Sequence, residues 1–186
     1  MKAGLGFLRG GSHVQAALLL RQIRGASADR PNDPVGTSGF GFNVSGRLSV
    51  PFSDDDRDYV TFALNGGRGI GRYISDLGTL GGQDAIYDPT SDTLQALPVG
   101  SAYVGYQHWW SNTVRTTATY GGVFVDNLDI QTPDSLRETQ RTSLNLSWSP
   151  TGRIDLVSEF LWGRRVDKDG KKGTATQLQL GGVIRF

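Results

Sequence analysis

The sequence predicts an all-β protein: a transmembrane antiparallel β-barrel, with about eight strands in this chain, the C-terminal half of a barrel of about 16. Three observations carry that expectation. Apolar and polar side chains alternate along stretch after stretch, connections alternate long and short, and aromatic residues of the apolar parity gather at strand ends.

The alternation is sharpest between Thr142 and Phe186. Leu144, Leu146 and Trp148 share one parity, as do Leu178, Leu180, Ile184 and Phe186, and the positions between them are mostly polar. A sheet with two unlike faces has that period of two. Ser149-Pro-Thr-Gly152 reads as a tight turn and Asp167 to Gly173 as a longer one. The chain then ends on an aromatic residue, as the closing strand of an outer-membrane barrel does.

Taken in order, strands are expected near 13–23, 38–52, 59–72, 101–110, 114–125, 139–148, 154–165 and 174–186. Residues 3–8 read as the tail of a preceding strand. Val14, Ala16, Leu18 and Leu20 define one face of the first, though Leu19 and Ile23 blur it. Phe40, Phe42, Val44, Leu48, Val50 and Phe52 define the second, and Val60, Phe62 and Leu64 the third. The polar 25–36 and 126–138 segments and the Gly/Asp/Thr/Pro-rich 75–98 segment read as loops. The last is long enough to suggest a capping or functional role.

All 186 residues are expected to form one outer-membrane β-barrel domain. The 26 glycines and absence of cysteine suit a turn-rich β protein, and a net charge of +1 argues against nucleic acid as a partner. Val14 to Leu20 is far too short for a spanning helix, which needs about 20 residues. Met1 to Gly10 contains no apolar core with a cleavage site. The chain is therefore expected to be a piece of a longer protein that lacks its N-terminal half.

Residues 25–36, 75–98, 126–138 and 167–173 make long connections, and 53–57, 111–113 and 149–152 short ones, so all the long ones fall at one end. Phe52, Trp110, Trp148 and Phe186 stand at the short-turn end, and Phe40, Phe124 and Trp162 nearer the long-loop end. Two aromatic girdles around an aliphatic band are what two lipid–water interfaces select. The expected surroundings are the lipid and lipopolysaccharide of a Gram-negative outer membrane. Phe186 is the expected handle for the barrel-assembly machinery.

The polar parity is rich in Gly, Ser and Thr, including Gly41, Ser45, Thr61, Gly105, Thr119 and Ser143. Such small side chains would fill an eight-stranded barrel poorly, because its interior must be packed. They suit a wider, water-filled lumen. The same parity places Arg21, Arg47, Arg115, Arg141, Arg165 and Arg185 inward as pore-lining residues, with Asp155 and Glu159 as the main acids. Each arginine alone is accounted for by a wet wall or a carboxylate partner. Their excess favours small anions. Arg68 and Arg72 fall on the outward parity, where interfacial placement accounts for them.

Chemistry is not expected. Asn65 to Gly71 is glycine-rich but lacks the Lys-Ser/Thr and helix of a phosphate loop. Asp167 to Gly170 opens like a calcium loop without its closing Glu. His108, one of two histidines, precedes Trp109-Trp110 with no catalytic partner by parity. No enzyme activity, cofactor or metal is predicted. A small eight-stranded barrel acting as an anchor or adhesin through its 75–98 loop is the alternative.

Several stretches resemble the DcaP-like outer-membrane porins. They are 13–24 (HVQAALLLRQIR), 62–73 (FALNGGRGIGRY), 84–88 (DAIYD), 106–110 (YQHWW), 148–150 (WSP) and 160–165 (FLWGRR). The resemblance implies a 16-stranded homotrimeric channel for passive diffusion of small, often anionic solutes such as dicarboxylates. This chain departs from the family in lacking the N-terminal half, with its signal peptide, coiled coil and inward-folded constriction loop.

Overall fold

The computed structural model describes residues 11–27, 30–50 and 57–186. In chain order the strands are β1 (His13–Ser27), β2 (Arg30–Ser49), β3 (Tyr59–Arg68), β4 (Ala85–Asp88), β5 (Thr93–Ala96), β6 (Pro98–Trp109), β7 (Val114–Val125), β8 (Leu136–Thr151), β9 (Ile154–Asp167) and β10 (Lys172–Ile184). Eight of them form one antiparallel sheet in the order β1-β2-β3-β6-β7-β8-β9-β10, while β4 and β5 pair by themselves. Every neighbour in the large sheet follows its partner in the chain, so it is a simple up-and-down meander. Among the described residues no ladder joins β1 to β10. Among the described residues the sheet is open, with β1 and β10 as its two edges.

The alternation of the sequence sorts the sheet into two faces. Paired residues share a face, and the registers link even-numbered positions to even-numbered ones: Val44 to Leu64, Leu64 to Ala102, Leu144 to Phe160 and Phe160 to Leu178. This face exposes its large apolar groups. Leu18, Leu20, Phe42, Leu64, Val104, Tyr120, Leu144, Leu146, Phe160 and Leu180 are all exposed. Glycines make room for rings here: a Cβ on Gly66 would lie 2.7 Å from Cε1 of Phe42, its cross-strand partner.

Odd-numbered positions form the opposite face. One row runs Arg47, Thr61, Gly105, Thr119, Ser143, Leu161, Gln177 from β2 to β10. Small polar groups here are hydrogen-bonded to each other. Gln15 donates to Ser45, Ser45 to Asn43, Asn43 to Asn65 and Asn65 to Ser101, a ladder across β1, β2, β3 and β6. Thr119 and Ser143 share a hydrogen bond of 2.7 Å.

Two connections differ from the sequence expectation. The 25–36 segment is strand for most of its length, because β1 runs to Ser27 and β2 starts at Arg30. Pro31 and Pro34 suggest a loop, yet β2 pairs with β3 only from Phe40 to Ser49, so its far end is bonded on one side. Proline is tolerated on such an edge. The 75–98 segment is structured too. After β3, which ends at Arg68 rather than near 72, come a 3-10 turn (Gly71–Tyr73), helix α1 (Ser75–Thr79) and the β4–β5 hairpin. The expected strand at 3–8, the turn at 53–56 and Phe52 lie outside the described residues.

Candidate functional site

The β3–β6 connection lies on the odd-numbered face. Ile70, Ile74 and Leu77 recur at helical spacing and pack with Leu97, Val99, Val123, Val125 and Leu136 into the chain's main buried core. Val99, Val123 and Val125 are odd-face wall residues, and Leu19 of β1 packs against the same cluster. Gly41 supplies the seat: a Cβ there would come within 2.8 Å of Cγ2 of Ile70. Gly69 turns the chain inward with φ +68, a conformation glycine adopts without penalty. The 75–98 segment, expected from sequence to be an irregular stretch with a capping or functional role, belongs to this connection and is packed on the odd-numbered face.

A polar clasp completes the anchorage. Asp84 accepts the Arg72 backbone N–H at 2.8 Å, Arg72 Nε at 2.7 Å and an Arg21 guanidinium N–H at 2.9 Å. Arg21 also donates to the Gly69 carbonyl at 3.0 Å. Burial alone would raise the Asp84 pKa, but hydrogen bonds from Arg72 and Arg21 outweigh it and hold the carboxyl below its ordinary value.

The six strand-parity arginines fall into two groups. Arg21 is held by Asp84, Arg165 by Asp167 at 2.6 Å and the Asp134 carbonyl at 3.0 Å, and Arg185 by Asp155, which also accepts from Ser149. Arg47, Arg115 and Arg141 form no salt bridge among the described residues, although Arg115 acts electrostatically on Asp155. Arg47 lies 3.8 Å from the Tyr59 ring centroid and Arg115 5.2 Å from that of Trp109, which also carries Arg57 at 4.1 Å. Arg141 is exposed. Glu159 stands half-buried in a row with Asn145 and Gln179 and forms no ion pair among the described residues.

On the even face, Trp110, Trp148 and Phe186 are exposed at the short-turn end, and Phe40 and Phe124 at the other. Trp162 is half-buried and stands deeper in the sheet, in one row with Tyr120 and Thr142. His108 has a partner that parity within its own strand does not reveal. Its Nδ1 lies 2.6 Å from Asp58 Oδ2, just before β3, and its ring stacks edge-on against Trp110.

No group of His, Cys, Asp and Glu among the described residues could hold a metal ion. Among the described residues no helix is long and apolar enough to cross a membrane, which leaves crossing by strands untouched.

No family model and no curated protein matches the sequence. Among solved structures, the crystal structure of the outer membrane channel DcaP of Acinetobacter baumannii superimposes with a TM-score of 0.73 at 16% identity. The match covers 97% of this chain and 49% of that one. This chain has the fold of half an outer-membrane channel barrel. The likeness to DcaP carried by the sequence is thus present in three dimensions, and the chain spans about half the length of the channel it matches.

Proposed function

We propose that this chain is part of the wall of an outer-membrane porin, a water-filled channel for passive diffusion of small hydrophilic anions. The single observation that carries the reading is the division of the sheet. One face exposes aliphatic and aromatic side chains across all eight strands, and the other is a hydrogen-bonded wall of small polar groups. A soluble sheet buries its apolar face, whereas the wall of a membrane barrel leaves an apolar face bare to lipid along every strand. The shortest strand of the large sheet, β3, has 10 residues, enough to cross a hydrocarbon core at about 9–11.

The free edges at β1 and β10 require further strands, for a closed barrel of about 16. A small eight-stranded anchor would need β1 to pair with β10, and the described residues have no such ladder. Arg47, Arg115 and Arg141, which form no salt bridge among the described residues, supply cations to the polar wall, which favours dicarboxylate-like anions over cations. The even face contacts lipid and lipopolysaccharide, Phe186 is the handle for barrel assembly, and the closed barrel forms a homotrimer. No catalytic step is part of this reading.

The test is conductance of the channel, isolated from outer membranes, in a planar bilayer under a salt gradient. Anion-selective reversal potentials are expected. Cation preference would overturn the anion assignment, and absence of conductance would overturn the channel.

A further inference from the structure

The apolar face is not uniform. Where β6 meets β7, Gly100, Ala102 and Gly122 form the floor of a groove of about 530 Å³, with Leu64, Tyr120 and Phe124 along its sides. Gly100 pairs with Phe124, and Ala102 with Leu64 and Gly122, so the floor is one patch of neighbouring strand positions. Gln140 of β8 lines the edge of the groove.

The cations of this face gather at the rim of the long connections. Arg24, Arg68, Arg164 and Lys172 occupy even-numbered strand positions there, while the even positions described at the short-turn rim hold no arginine or lysine. Arg164 pairs across to Gln140 on one side and to Thr174 on the other. Lys172 is its diagonal neighbour, the Cα atoms about 7–8 Å apart. Neither cation forms an ion pair among the described residues. Glu138, on the same face, accepts from the Gln140 side-chain amide at 2.6 Å.

We propose that the groove and the Arg164–Lys172 pair hold one molecule of lipid A, the phosphorylated, multiply acylated anchor of lipopolysaccharide, with an acyl chain over Gly100 and Ala102 and a phosphate on the two cations. The inference rests on the lipid-facing reading of the even face and goes beyond it, from general contact to one defined site. The long loops of an outer-membrane barrel are external, and the external leaflet is the one built of lipopolysaccharide. A phosphate monoester carries about −1.5 to −2 charges at pH 7, which matches two adjacent cations better than the single charge of a phospholipid diester. Small residues let an acyl chain touch the wall along its length, where bulky ones would hold it off.

The experiment counts lipids by native mass spectrometry on the channel isolated from outer membranes and titrated in detergent with lipid A, phosphatidylglycerol or phosphatidylethanolamine. One lipid A per chain is expected, bound about tenfold more tightly than either phospholipid. Arg164→Gln combined with Lys172→Gln should reduce lipid A binding to the phospholipid level. A Cβ at Gly100 would meet nothing closer than 4.0 Å, so Gly100→Leu fits the strand and should weaken binding by filling the groove. Arg24→Gln, at the same rim on β1, should leave binding unchanged. Equal binding of phosphatidylglycerol, or an equal loss in Arg24→Gln, would reject the site in favour of diffuse attraction along the rim. A Gly100→Leu channel that keeps its lipid A but sheds subunits would reject it in favour of a second copy seated on the groove. Chloride current through the same preparations separates the two readings. Wild type that conducts without holding lipid A rejects the site alone, and wild type that holds lipid A without conducting rejects the channel alone.

Discussion

Asp58 and His108 face each other at 2.6 Å across the β3–β6 edge, with the Asp58 side chain fully buried and its second oxygen accepting the Trp109 backbone N–H at 2.8 Å. The carboxylate therefore ties the β2–β3 turn to the aromatic end of β6. Asp58→Ala would strand the histidine ring and a backbone donor together. Leaving a buried donor unsatisfied in this way typically costs about 1–3 kcal/mol. A lowered temperature of the folded-to-unfolded mobility shift in detergent gels is the expected result, with Asp58→Asn milder.

Acid should loosen the β3–β6 connection before it harms the sheet. Asp84 has a depressed folded-state pKa because hydrogen bonds from Arg72 and Arg21 outweigh the opposing effect of burial. A depressed carboxyl contributes stability above its unfolded pKa, about 4, and that contribution is lost as pH falls through the lower folded value. Proteolysis within residues 69–97 should accelerate only below about pH 4. Asp84→Asn should cleave as fast at neutral pH as wild type does in acid.

Leu77 is fully buried in the cluster that seats the connection. Leu77→Ala should weaken that seat by about 2–4 kcal/mol. The strands need not unfold, because the cluster sits at one end of one face. The expected signature is noisier, larger single-channel current with unchanged strand content by circular dichroism.

The two faces should respond oppositely to charge. Leu146→Arg places a guanidinium on the exposed apolar face and should cost roughly 2–4 kcal/mol if the site lies near the bilayer midplane. Gln179→Arg, on the exposed polar parity of β10, should refold normally. Ser147 is a poor control on that face because it is buried, at 4% exposed. Equal folding penalties for Leu146→Arg and Gln179→Arg would contradict the face assignment.

Arg47→Gln combined with Arg115→Gln should move the reversal potential toward cations, since neither forms a salt bridge among the described residues. Arg165→Gln should move it less, because Arg165 is already neutralised by Asp167. A larger shift from Arg165→Gln would count against the wall charge as the source of selectivity.

The strand pattern was legible wherever one face stays apolar to its ends. Leu144, Leu146, Trp148, Leu178 and Leu180 declare their side by period alone, because nothing but lipid or its absence decides them. Pro31 and Pro34 misdirect the reading of the first hairpin, since sequence does not say that β2 is paired on one side there. The inward connection left a weak signal: Ile70, Ile74 and Leu77 keep helical spacing, but Gly71 and Gly78 interrupt it and disguise it as irregular chain. The Arg21–Asp84 clasp joins residues far apart in sequence, and no local rule reaches that distance. Asp58 escaped for another reason: it falls between the turn expected at 53–57 and the strand expected from 59, yet it is the even-face neighbour of His108.

Among the described residues the large sheet has an even number of strands, so its outermost members run in opposite directions. His13 and Ile184 consequently lie at the same rim, the one that carries the turns after β2, β6 and β8. Whatever completes the cylinder must contribute an even count, leaving from that rim and returning to it. A second identical unit turned half a revolution about the pore axis would satisfy this rule, and so would eight strands spliced upstream. A piece with an odd count would force two neighbours to run side by side in the same direction, and the seam could not close as an antiparallel ladder.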